Sequence, residues 1–448
     1  MRKIVLATIG TLGDLHPFLA VAKALQARGF RPILGCPADH VKKALATDIE
    51  AVAILPSFDE ICARMGAERS DAAHRIISNQ RYMFEEVILP DLSSSAARLT
   101  ELTEGAAAIV ASPFALGAPI AAEKCGVPLV SAVLQPMALL SALDPPNTRD
   151  FAMMKRCPVG TVGAGWNRLV YASLHGAMRI SYGRKISSAR ASHGLGRSGK
   201  APLKASPLTG LTLGLYSRYF APLPLDAAPN TQLVGFPWFD GDRSSDEHLD
   251  QRLAEFLAAG PPPLVFSLGT LAIHAAGRFY DEAEKVARAI GMRAILLTGK
   301  AEPATSDCVI FRCAYAPHAQ LFPHCAAIVH HGGIGTVGQA LRAGKPQMVV
   351  PHMGDQFDHA HRIAGLGVGA TIKAARFRER IAAPALLALL RDRGISEKAA
   401  ALAASIGAED GPSTAAAAIE AMLATEQCHV IRPELQVAGT TGSSRWLS

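Results

Sequence analysis

The chain has 448 residues, of which 49% are hydrophobic and 19% are charged, and its formal net charge is +7. This length exceeds what one ordinary hydrophobic core supports, so we expect two large domains. No uncharged apolar run reaches the roughly 20 residues of a spanning helix, so we do not expect the chain to cross a membrane.

The first residues, MRKIVLATIGTLGD, are basic and apolar like a signal peptide, but Gly10, Gly13 and Asp14 interrupt the apolar run before any cleavage site. They fit a buried first strand better. The eight cysteines include no C-x-x-C pair, which favours reduced thiols and a cytoplasmic protein. The cysteines and histidines between Cys308 and His331 match no common zinc spacing, so no metal is expected.

From residue 1 to about 150, apolar strand-like runs alternate with helical stretches. The strands are KIVLAT, RPILGC, AAAIVASP and PLVSAVL, and the helices PFLAVAKALQARG and LGAPIAAEKCG end at Gly29 and Gly126. This alternation predicts a doubly wound parallel sheet. Residues 56–104 are more polar and helical.

Residues 151–225 contain eleven Lys and Arg and no Asp or Glu, so the rest of the chain has four more acids than bases. The region is either a solvated face or a pair of helices that carry an apolar stripe beside the bases and suit an anionic membrane surface. The predicted stripe is Trp166, Leu169, Val170, Leu174 and Met178. Nucleic acid is not an expected partner, because the bases lie among apolar residues.

An exposed crossover, VGFPWFDGD, is predicted at 234–242, and a second strand and helix series begins at Pro262. We predict an N-terminal domain over 1–233, a linker over 234–247, a C-terminal domain over 248–425 and a tail over 426–448. Two α/β domains of this kind leave a cleft between them.

Ligands bind beyond the carboxyl ends of the strands in such sheets, so the loops after the apolar runs are the candidate site. After the first strand, Gly10 and Gly13 allow a tight turn close to a ligand. Asp14 follows at the start of a helix, where it is either a helix cap or a catalytic base. His16 is the other candidate base.

The stretch 328–344, IVHHGGIGTVGQALRAG, carries G-x-G-x-x-G at Gly333, Gly335 and Gly338. A helix that begins near Gly335 directs free N–H groups at an anion, and Thr336 adds a hydroxyl. The turn at Thr270 is a second phosphate-facing loop.

A phosphate-binding loop does not by itself identify the class of ligand. Asp355 and Asp358 lie at about the spacing of the ribose-binding acid of an NAD(P) enzyme, about 20 residues past the last glycine. The pair His330-His331 counts against that interpretation. The Asp355-Gln356 pair is better suited to a polyhydroxylated ligand.

Together these loops resemble glycosyltransferase family one, the GT-B enzymes that use UDP- or TDP-sugars. The strongest part is AYAPHAQLFPHCAAIVHHGGIGTVGQALRAGKPQMVVPHMGDQ at 314–356, which follows the donor signature through H-x-G-x-x-[ST], G-x-P and the final Asp-Gln. The resemblance implies two Rossmann-like parallel-sheet domains facing across a cleft. It implies inverting transfer of a hexosyl group, glucose or rhamnose, to a hydroxyl of a hydrophobic small-molecule or lipid acceptor, without metal or other cofactor.

The resemblance also implies a role for each site residue. Asp14 falls on the catalytic base, and Asp355 and Gln356 fall on the pair that holds the sugar hydroxyls. The remaining positions are Tyr315 and Ala316 at the nucleobase, and His331, Gly333, Gly335, Thr336 and Thr270 at the diphosphate. Two residues depart from the plant pattern: Tyr315 replaces Trp, and Gln339 replaces the Glu that chelates the ribose. An amide lacks charge assistance, so the preference between UDP and TDP stays open.

The segment VASPFALGAPIAAEKCGVPLVSAVLQPMALLSALDPP and the motif GFPWFDG look like bacterial rhamnolipid-type rhamnosyltransferases, while an Asp base is shared with sterol-type enzymes. The expected partners are therefore a nucleotide-sugar and a hydrophobic hydroxylated acceptor, with peripheral contact of 151–225 at the inner face of a membrane. Two alternatives remain: an NAD(P)-dependent oxidoreductase that uses Gly333–Gly338, and a non-transferring nucleotide-sugar epimerase or binder.

Overall fold

The computed structural model describes residues 1–148, 151–156, 160–197, 202–203, 206, 208–239, 249–299 and 305–437. These residues form two seven-stranded sheets with helices on both faces. This confirms the predicted class of two doubly wound α/β halves facing a cleft. None of the helices in the described ranges combines the length and the apolarity that crossing a membrane requires.

The first sheet has the strand order β3-β2-β1-β4-β5-β6-β7, and all its pairs are parallel. The strands are β1 (Lys3–Ala7), β2 (Arg31–Pro37), β3 (Glu50–Leu55), β4 (Ala108–Ala111), β5 (Leu129–Val133), β6 (Thr209–Gly214) and β7 (Thr231–Leu233). The order reverses between β1 and β4, and ligand crevices open at such a reversal. The loop that carries Asp14 leaves β1 at this point.

Helices cover both faces of the first sheet, which is why its strands are continuous apolar runs. They are α1 (Leu12–Ala27), α2 (Ala38–Leu45), α3 (Phe58–Met65), α4 (Arg69–Ser78), α5 (Leu92–Thr103), α6 (Gly117–Cys125) and α7 (Thr161–Ser192), with a π-helix at Met83–Ile88. The prediction of a helical pair in 151–225 is wrong: α7 is one helix of 32 residues.

The second sheet repeats this topology in the order β10-β11-β9-β8-β12-β13-β14, with a short antiparallel strand at its edge. The strands are β8 (Leu264–Ser267), β9 (Ala294–Leu297), β10 (Thr305–Ser306), β11 (Ile310–Cys313), β12 (Ala327–His330), β13 (Gln347–Val349) and β14 (Gly369–Thr371). The reversal lies between β8 and β12, where Ser267 pairs with His330. The two predicted phosphate-facing loops therefore leave the sheet side by side.

The helices of the second half are α8 (Gln251–Ala258), α9 (Gly269–Ala272), α10 (Phe279–Ala289), α11 (His318–Leu321), α12 (Ile334–Arg342), α13 (Asp355–Gly365), α14 (Glu379–Arg391), α15 (Arg393–Gly407) and α16 (Gly411–Val437). Helix α16 begins inside the range predicted for the C-terminal domain, yet Ala415, Ile419 and Leu423 join the core of the first sheet. The predicted tail includes the end of α16, and residues 438–448 lie outside the described ranges. The domain boundaries stay predictions.

The halves share a hydrophobic cluster in which Tyr216 and Phe220 pack with Val337 and Ile363. The crossover predicted as exposed is buried at residues 234–237, because Phe236 belongs to this cluster. That part of the prediction is wrong.

A charged clasp also joins the halves. The Arg362 guanidinium on α13 contacts Asp144 at 2.9 Å and Asp358 at 2.8 Å. Asp358 in turn accepts a hydrogen bond from the backbone N–H of Asn147 at 2.9 Å. The clasp therefore holds α13 against the loop that follows β5.

Candidate active site

A cavity of about 850 Å³ lies between the two halves and is lined by loops from both sheets. Of the site residues predicted from the sequence, all but Ala316 line it, and His16 does as well. Ala316 is buried. The two parallel sheets thus bring together residues that are more than 300 positions apart in the chain.

Asp14 occupies the third position of α1 and is part of its cap. Its Oδ2 accepts a hydrogen bond from the backbone N–H of Thr11 at 2.8 Å and from the Thr11 hydroxyl at 3.3 Å. Gly10 has a φ of +113°, and a Cβ there would overlap the Asp14 carboxylate. The carboxylate therefore caps the helix and also lines the cavity, and its role as a catalytic base stays a prediction.

Burial raises the pKa of Asp14 to about 6, although the hydrogen bonds from Thr11 lower it. The charge of Asp355, which reaches this cavity from the second half, also raises the pKa of Asp14. A carboxyl with this pKa is ionised at neutral pH and is a stronger base than an ordinary aspartate.

His16 lies two residues further along α1, with its ring centroid 5.5 Å from that of Phe239. Burial lowers the pKa of His16 to about 3, and nearby Lys43 and His318 lower it further. Its Nε2 has no hydrogen-bond partner among the described residues. A neutral imidazole with this pKa is a much weaker base than Asp14.

Helix α12 begins at Ile334 after Gly333, and no side chain caps it. The N–H groups of its first turn lack intrahelical acceptors, and together with the helix dipole they favour an anion. A Cβ on Gly335 would lie 3.8 Å from the Cα of Gly13. The starts of α1 and α12 therefore approach each other across the cleft through glycines, which have no side chains.

The His331 ring is held between two glycines. A Cβ on Gly269, where φ is +68°, would lie 2.5 Å from the ring, and a Cβ on Gly333 would also overlap it. Burial lowers the pKa of His331 well below its usual value, and His330 adds to this effect. His331 is therefore a neutral hydrogen-bonding group, and the start of α12 supplies a partial positive charge to an anion.

Two further histidines fix the backbone of this loop. Gly332 N–H donates to His330 Nδ1 at 3.1 Å, so the ring proton is on Nε2, which donates to Gln347 Oε1 at 2.9 Å. His359 Nδ1 donates to the carbonyl of Gly332 at 2.7 Å. Gly332, with a φ of +95°, is thus held on both sides.

Asp355 and Gln356 begin α13 and line the cavity. Gln356 Oε1 accepts hydrogen bonds from the N–H groups of His352 at 2.9 Å and Met353 at 3.2 Å, so its amide NH₂ is the part left for a ligand. Burial raises the pKa of Asp355, while His359 lowers it. The preceding Gly354 has a φ of +43° and lies under the amide of Gln80 from the first half.

Tyr315 is exposed and lines the cavity near His318, whose ring stacks on Phe322 at 4.4 Å. Gln339 also lines the cavity, and its buried Oε1 has no hydrogen-bond partner among the described residues. An amide oxygen in this state requires a hydroxyl or N–H donor from a ligand or water. We call this region, with Thr270, His331, Thr336, Asp355 and Gln356, the polar end of the cavity.

The apolar part of the lining, which we call the apolar end, is formed by the first half. Its residues are Ile61, Ile76, Met83, Phe84, Val87, Ile88, Phe114, Met137, Leu140, Phe151 and Leu203. Four of them come from the π-helix Met83–Ile88, a type of turn that often occurs at functional sites. The Phe84 ring stacks on Tyr182 of α7 with centroids 5.6 Å apart.

Within the described residues, no group of three or more His, Cys, Asp or Glu side chains is arranged to hold a metal ion. The expectation of a reaction without metal stays a prediction.

Two stretches of the chain match known families. Residues 4–143 match the glycosyltransferase family 28 N-terminal domain. Residues 304–422 match the erythromycin biosynthesis protein CIII-like C-terminal domain.

Similarity to curated proteins extends over nearly the whole chain. It is 28% identical over 441 residues to O-mycaminosyltylonolide 6-deoxyallosyltransferase of Streptomyces fradiae, covering 93% of this chain and 97% of that protein. It is 26% identical over 431 residues to sterol 3-beta-glucosyltransferase of Neosartorya fischeri, covering 93% of this chain but only 29% of that longer protein. The chain is a nucleotide-sugar-dependent glycosyltransferase of the GT-B class.

The solved structure of the glycosyltransferase VinC in complex with DTDP shares the fold of this GT-B enzyme. The TM-score is 0.64 at 17% identity, over 95% of this chain and 100% of that one. The predicted GT-B resemblance is confirmed, and the oxidoreductase and epimerase alternatives are set aside. The likeness to rhamnolipid-type enzymes, the sugar and the acceptor stay predictions.

Several residues of this glycosyltransferase site were not found from the sequence. His359 follows Asp355 by four positions, so helical spacing was a usable signal for its packing behind the loop. The sequence predicts that the His330-His331 pair disfavours a dinucleotide site, but it does not indicate that His330 supports Gly332. Gln80 has no signal, because nothing in the sequence of residues 56–104 pairs it with the second half.

Proposed function

We propose that this glycosyltransferase transfers a hexosyl group, glucose or rhamnose, from a UDP- or TDP-sugar to a hydroxyl of a hydrophobic acceptor. The single observation that carries the proposal is the facing arrangement of Asp14, with its raised pKa, and the uncapped start of α12 in one cavity. One supplies a base for an acceptor hydroxyl, and the other supplies N–H groups for a departing diphosphate.

The reaction in this proposal is a single displacement with inversion. The acceptor oxygen attacks the anomeric carbon from the side of Asp14, and its proton passes to the carboxylate. The bond from the anomeric carbon to the diphosphate breaks on the other side, and the negative charge that develops there meets the N–H groups of Gly335 and Thr336. The products are the glycoside and the nucleoside diphosphate.

At the polar end, Asp355 and the amide NH₂ of Gln356 hold hydroxyls of the sugar, and Tyr315 stacks on the base. Gln339 accepts a ribose hydroxyl through its unpartnered Oε1. Because this contact lacks a charge, we expect UDP and TDP to bind within about tenfold of each other. The variant Gln339→Glu restores a charged acceptor and shifts the preference towards UDP.

At the apolar end, the lining of aliphatic and aromatic side chains favours an uncharged acceptor whose ring system or chain is buried and whose hydroxyl reaches Asp14. Relatives with sterol and antibiotic aglycone acceptors in their names support this class. A charged acceptor would lose its hydration there without a partner.

We also propose that the reaction takes place in a reducing compartment, the cytoplasm. Six cysteines, among them the buried Cys36, Cys62 and Cys325, are free thiols. Burial raises the pKa of the Cys36 and Cys325 thiols to about 12, which keeps them protonated and unreactive.

The test is release of UDP or TDP from a panel of UDP- and TDP-hexoses, with neutral sterols and polyketide aglycones as acceptors and charged analogues as controls. We expect acceptor-dependent release with neutral acceptors and none with charged ones. Nucleotide release that does not depend on any hydroxylated hydrophobic acceptor, or that favours charged acceptors, contradicts the proposal.

A further inference from the structure

The outward side of α7 carries large aliphatic side chains in contact with solvent. Val162, Leu169 and Ile180 are 75%, 58% and 84% exposed. They are 7 and 11 residues apart, so at 3.6 residues per turn they fall within about 20° of one line that is about 27 Å long. The opposite side of the helix is buried at Tyr171 and Tyr182. We call this line, with the exposed bases beside it, the α7 ridge.

Bases flank the line, and α7 contains no acid to neutralise them. Four of them, Arg168, Arg179, Arg184 and Lys185, are exposed, and no ion pair engages them within the described part of the chain. The fifth base of the helix, Arg190, is different, because it is buried and paired with Glu123 at 2.7 Å.

Exposed apolar residues are concentrated in this part of the molecule. Nine of the twelve large hydrophobic side chains that are exposed in the described residues lie between Leu143 and Leu225. Among the residues of the second half that the structure describes there is one, Tyr315, which lines the cavity. The apolar surface is therefore a local property of the half that carries the apolar end.

The same helix forms part of the wall behind the apolar end. Met178 and Tyr182 pack in the hydrophobic cluster that contains Phe84, and Tyr171 contacts Phe151 with ring centroids 5.9 Å apart. Of the stripe predicted from the sequence, only Leu169 belongs to the ridge, because Trp166, Val170, Leu174 and Met178 are half-buried.

The chemistry of the ridge favours a lipid surface over a protein. Protein interfaces place aromatic residues at the centre and deplete charges there. Here a single row of aliphatic residues shares the exposed surface of one helix with four bases and no acid. That arrangement matches a helix that lies in a bilayer interface, with its apolar row in the headgroup region and its bases near anionic lipids.

We propose that the α7 ridge docks this glycosyltransferase on an anionic membrane surface and so brings the apolar end close to acceptors dissolved in the bilayer. The second part of this proposal rests on the proposed function, since it needs a lipophilic acceptor. The docking itself does not depend on the reaction and is measured without it.

The experiment is co-sedimentation of the full chain with vesicles of phosphatidylcholine alone and of phosphatidylcholine mixed equally with phosphatidylglycerol, at low and high salt. We expect binding to the mixed vesicles at low salt, little binding to the neutral ones, and weakening at high salt because exposed charges are screened. Equal binding to both vesicle types, or none to either, overturns the proposal.

Matched variants locate the contact. Arg179→Gln with Arg184→Gln weakens binding by about 25-fold, at about fivefold per base. Arg391→Gln with Arg393→Gln removes the same charge elsewhere and leaves binding unchanged. Leu169→Gln weakens binding by about tenfold, whereas Leu45→Gln, at a residue with similar exposure, has no effect. Equal losses in the ridge and control variants overturn the assignment to α7.

Two readouts separate this proposal from the proposed function. Stabilisation by TDP shows that each variant is folded, and nucleotide release with an acceptor in free solution is expected to stay at the wild-type rate. If wild-type protein binds vesicles through the ridge but transfers no sugar, the docking stands and the proposed function fails. A different result would be that the wild-type protein does not bind vesicles and that the ridge variants lose binding to another protein. In that case the ridge is a protein-binding surface and the proposal is wrong.

Discussion

The polar end and the apolar end of the cavity use different kinds of structure. At the polar end, the backbone forms the site: Gly269 and Gly333 make room for the His331 ring, and the free N–H groups of α12 face the cavity. At the apolar end, side chains from several separate segments form the wall, and the π-helix supplies four of them. A site made from backbone needs glycines at fixed spacing, whereas a site made from apolar volume accepts many sequences.

The largest expected effect separates catalysis at Asp14 from binding at the polar end. Asp14→Asn keeps the side-chain size and an acceptor for Thr11, but it cannot take a proton. We expect turnover to fall about 10²- to 10⁴-fold while the affinity for TDP is unchanged. The control is Asp39→Asn, which alters another acid that lines the cavity. Wild-type turnover in Asp14→Asn would contradict the assignment and favour His16.

The pH dependence distinguishes the same two residues. If Asp14 is the base, kcat/KM falls as the pH drops through about 6, whereas His16 would give a fall only near 3. The contribution of Asp14 to folding stability changes with pH in the opposite direction. Because the folded pKa of Asp14 is above its ordinary 3.8, Asp14 contributes a loss of stability as pH rises from 3.8 to about 6, whereas a buried histidine with a lowered pKa, such as His16, contributes a gain. Asp14→Asn lacks this loss, which thermal unfolding across that range measures.

The next effect tests how strongly the clasp connects the two halves. Arg362→Gln leaves the buried Asp358 without its charged partner, which costs about 3–5 kcal/mol of unfolding free energy. Asp144→Asn removes the more exposed partner of the same arginine and costs about 1 kcal/mol or less. Urea unfolding measures both variants. Equal losses would mean that the pair between the halves, rather than the pair within α13, carries the stabilisation.

A smaller effect is expected for the glycines behind His331. Gly269→Ala forces the ring to move and weakens TDP binding by about tenfold or more, in addition to about 1–2 kcal/mol of backbone strain. Gly277→Ala, at a φ of +51° with open space around it, has the strain without the displaced ring. Calorimetric titration with TDP compares them, and similar affinities would show that the position of His331 does not matter for the nucleotide.

The smallest effect tests the apolar end. Val87→Asn places an unpartnered amide in the wall and raises KM for a neutral acceptor about fivefold, while the affinity for TDP stays at the wild-type value. Steady-state kinetics with varied acceptor measures the change. A matching loss of TDP affinity would mean that the two ends are not separate.

What the sequence predicts follows the same division between structure fixed by backbone and glycines and structure fixed by side-chain packing. Strand runs such as KIVLAT and AAIVHH predict the central strands of both sheets, because buried parallel strands are continuous apolar runs, whereas β3, β6 and β7 of the first sheet are not predicted. The loop around His331 was found for a related reason, since its glycines are required at defined positions. By contrast, the crossover at Phe236 was predicted as exposed, because its burial depends on the packing of the two halves, and local sequence does not contain that contact.

The basic region 151–225 shows most clearly what the sequence alone does not predict. The charge count over 151–225 identified a basic region, yet the stripe through Trp166 and Met178 was half-buried and the exposed row ran through Val162 and Ile180 instead. Both rows have helical spacing. The choice between them depends on which side of α7 meets Phe84, and that is decided by the tertiary structure.

The measurement that tests the central claim most directly is thermal unfolding of the purified protein with TDP, UDP and NAD(P). A ligand at about 100 times its Kd adds about 2.7 kcal/mol of stability. The account predicts stabilisation by TDP and UDP, and none by NAD(P). Stabilisation by NAD(P) alone would contradict it and assign the loop from Gly333 to Gly338 to a dinucleotide.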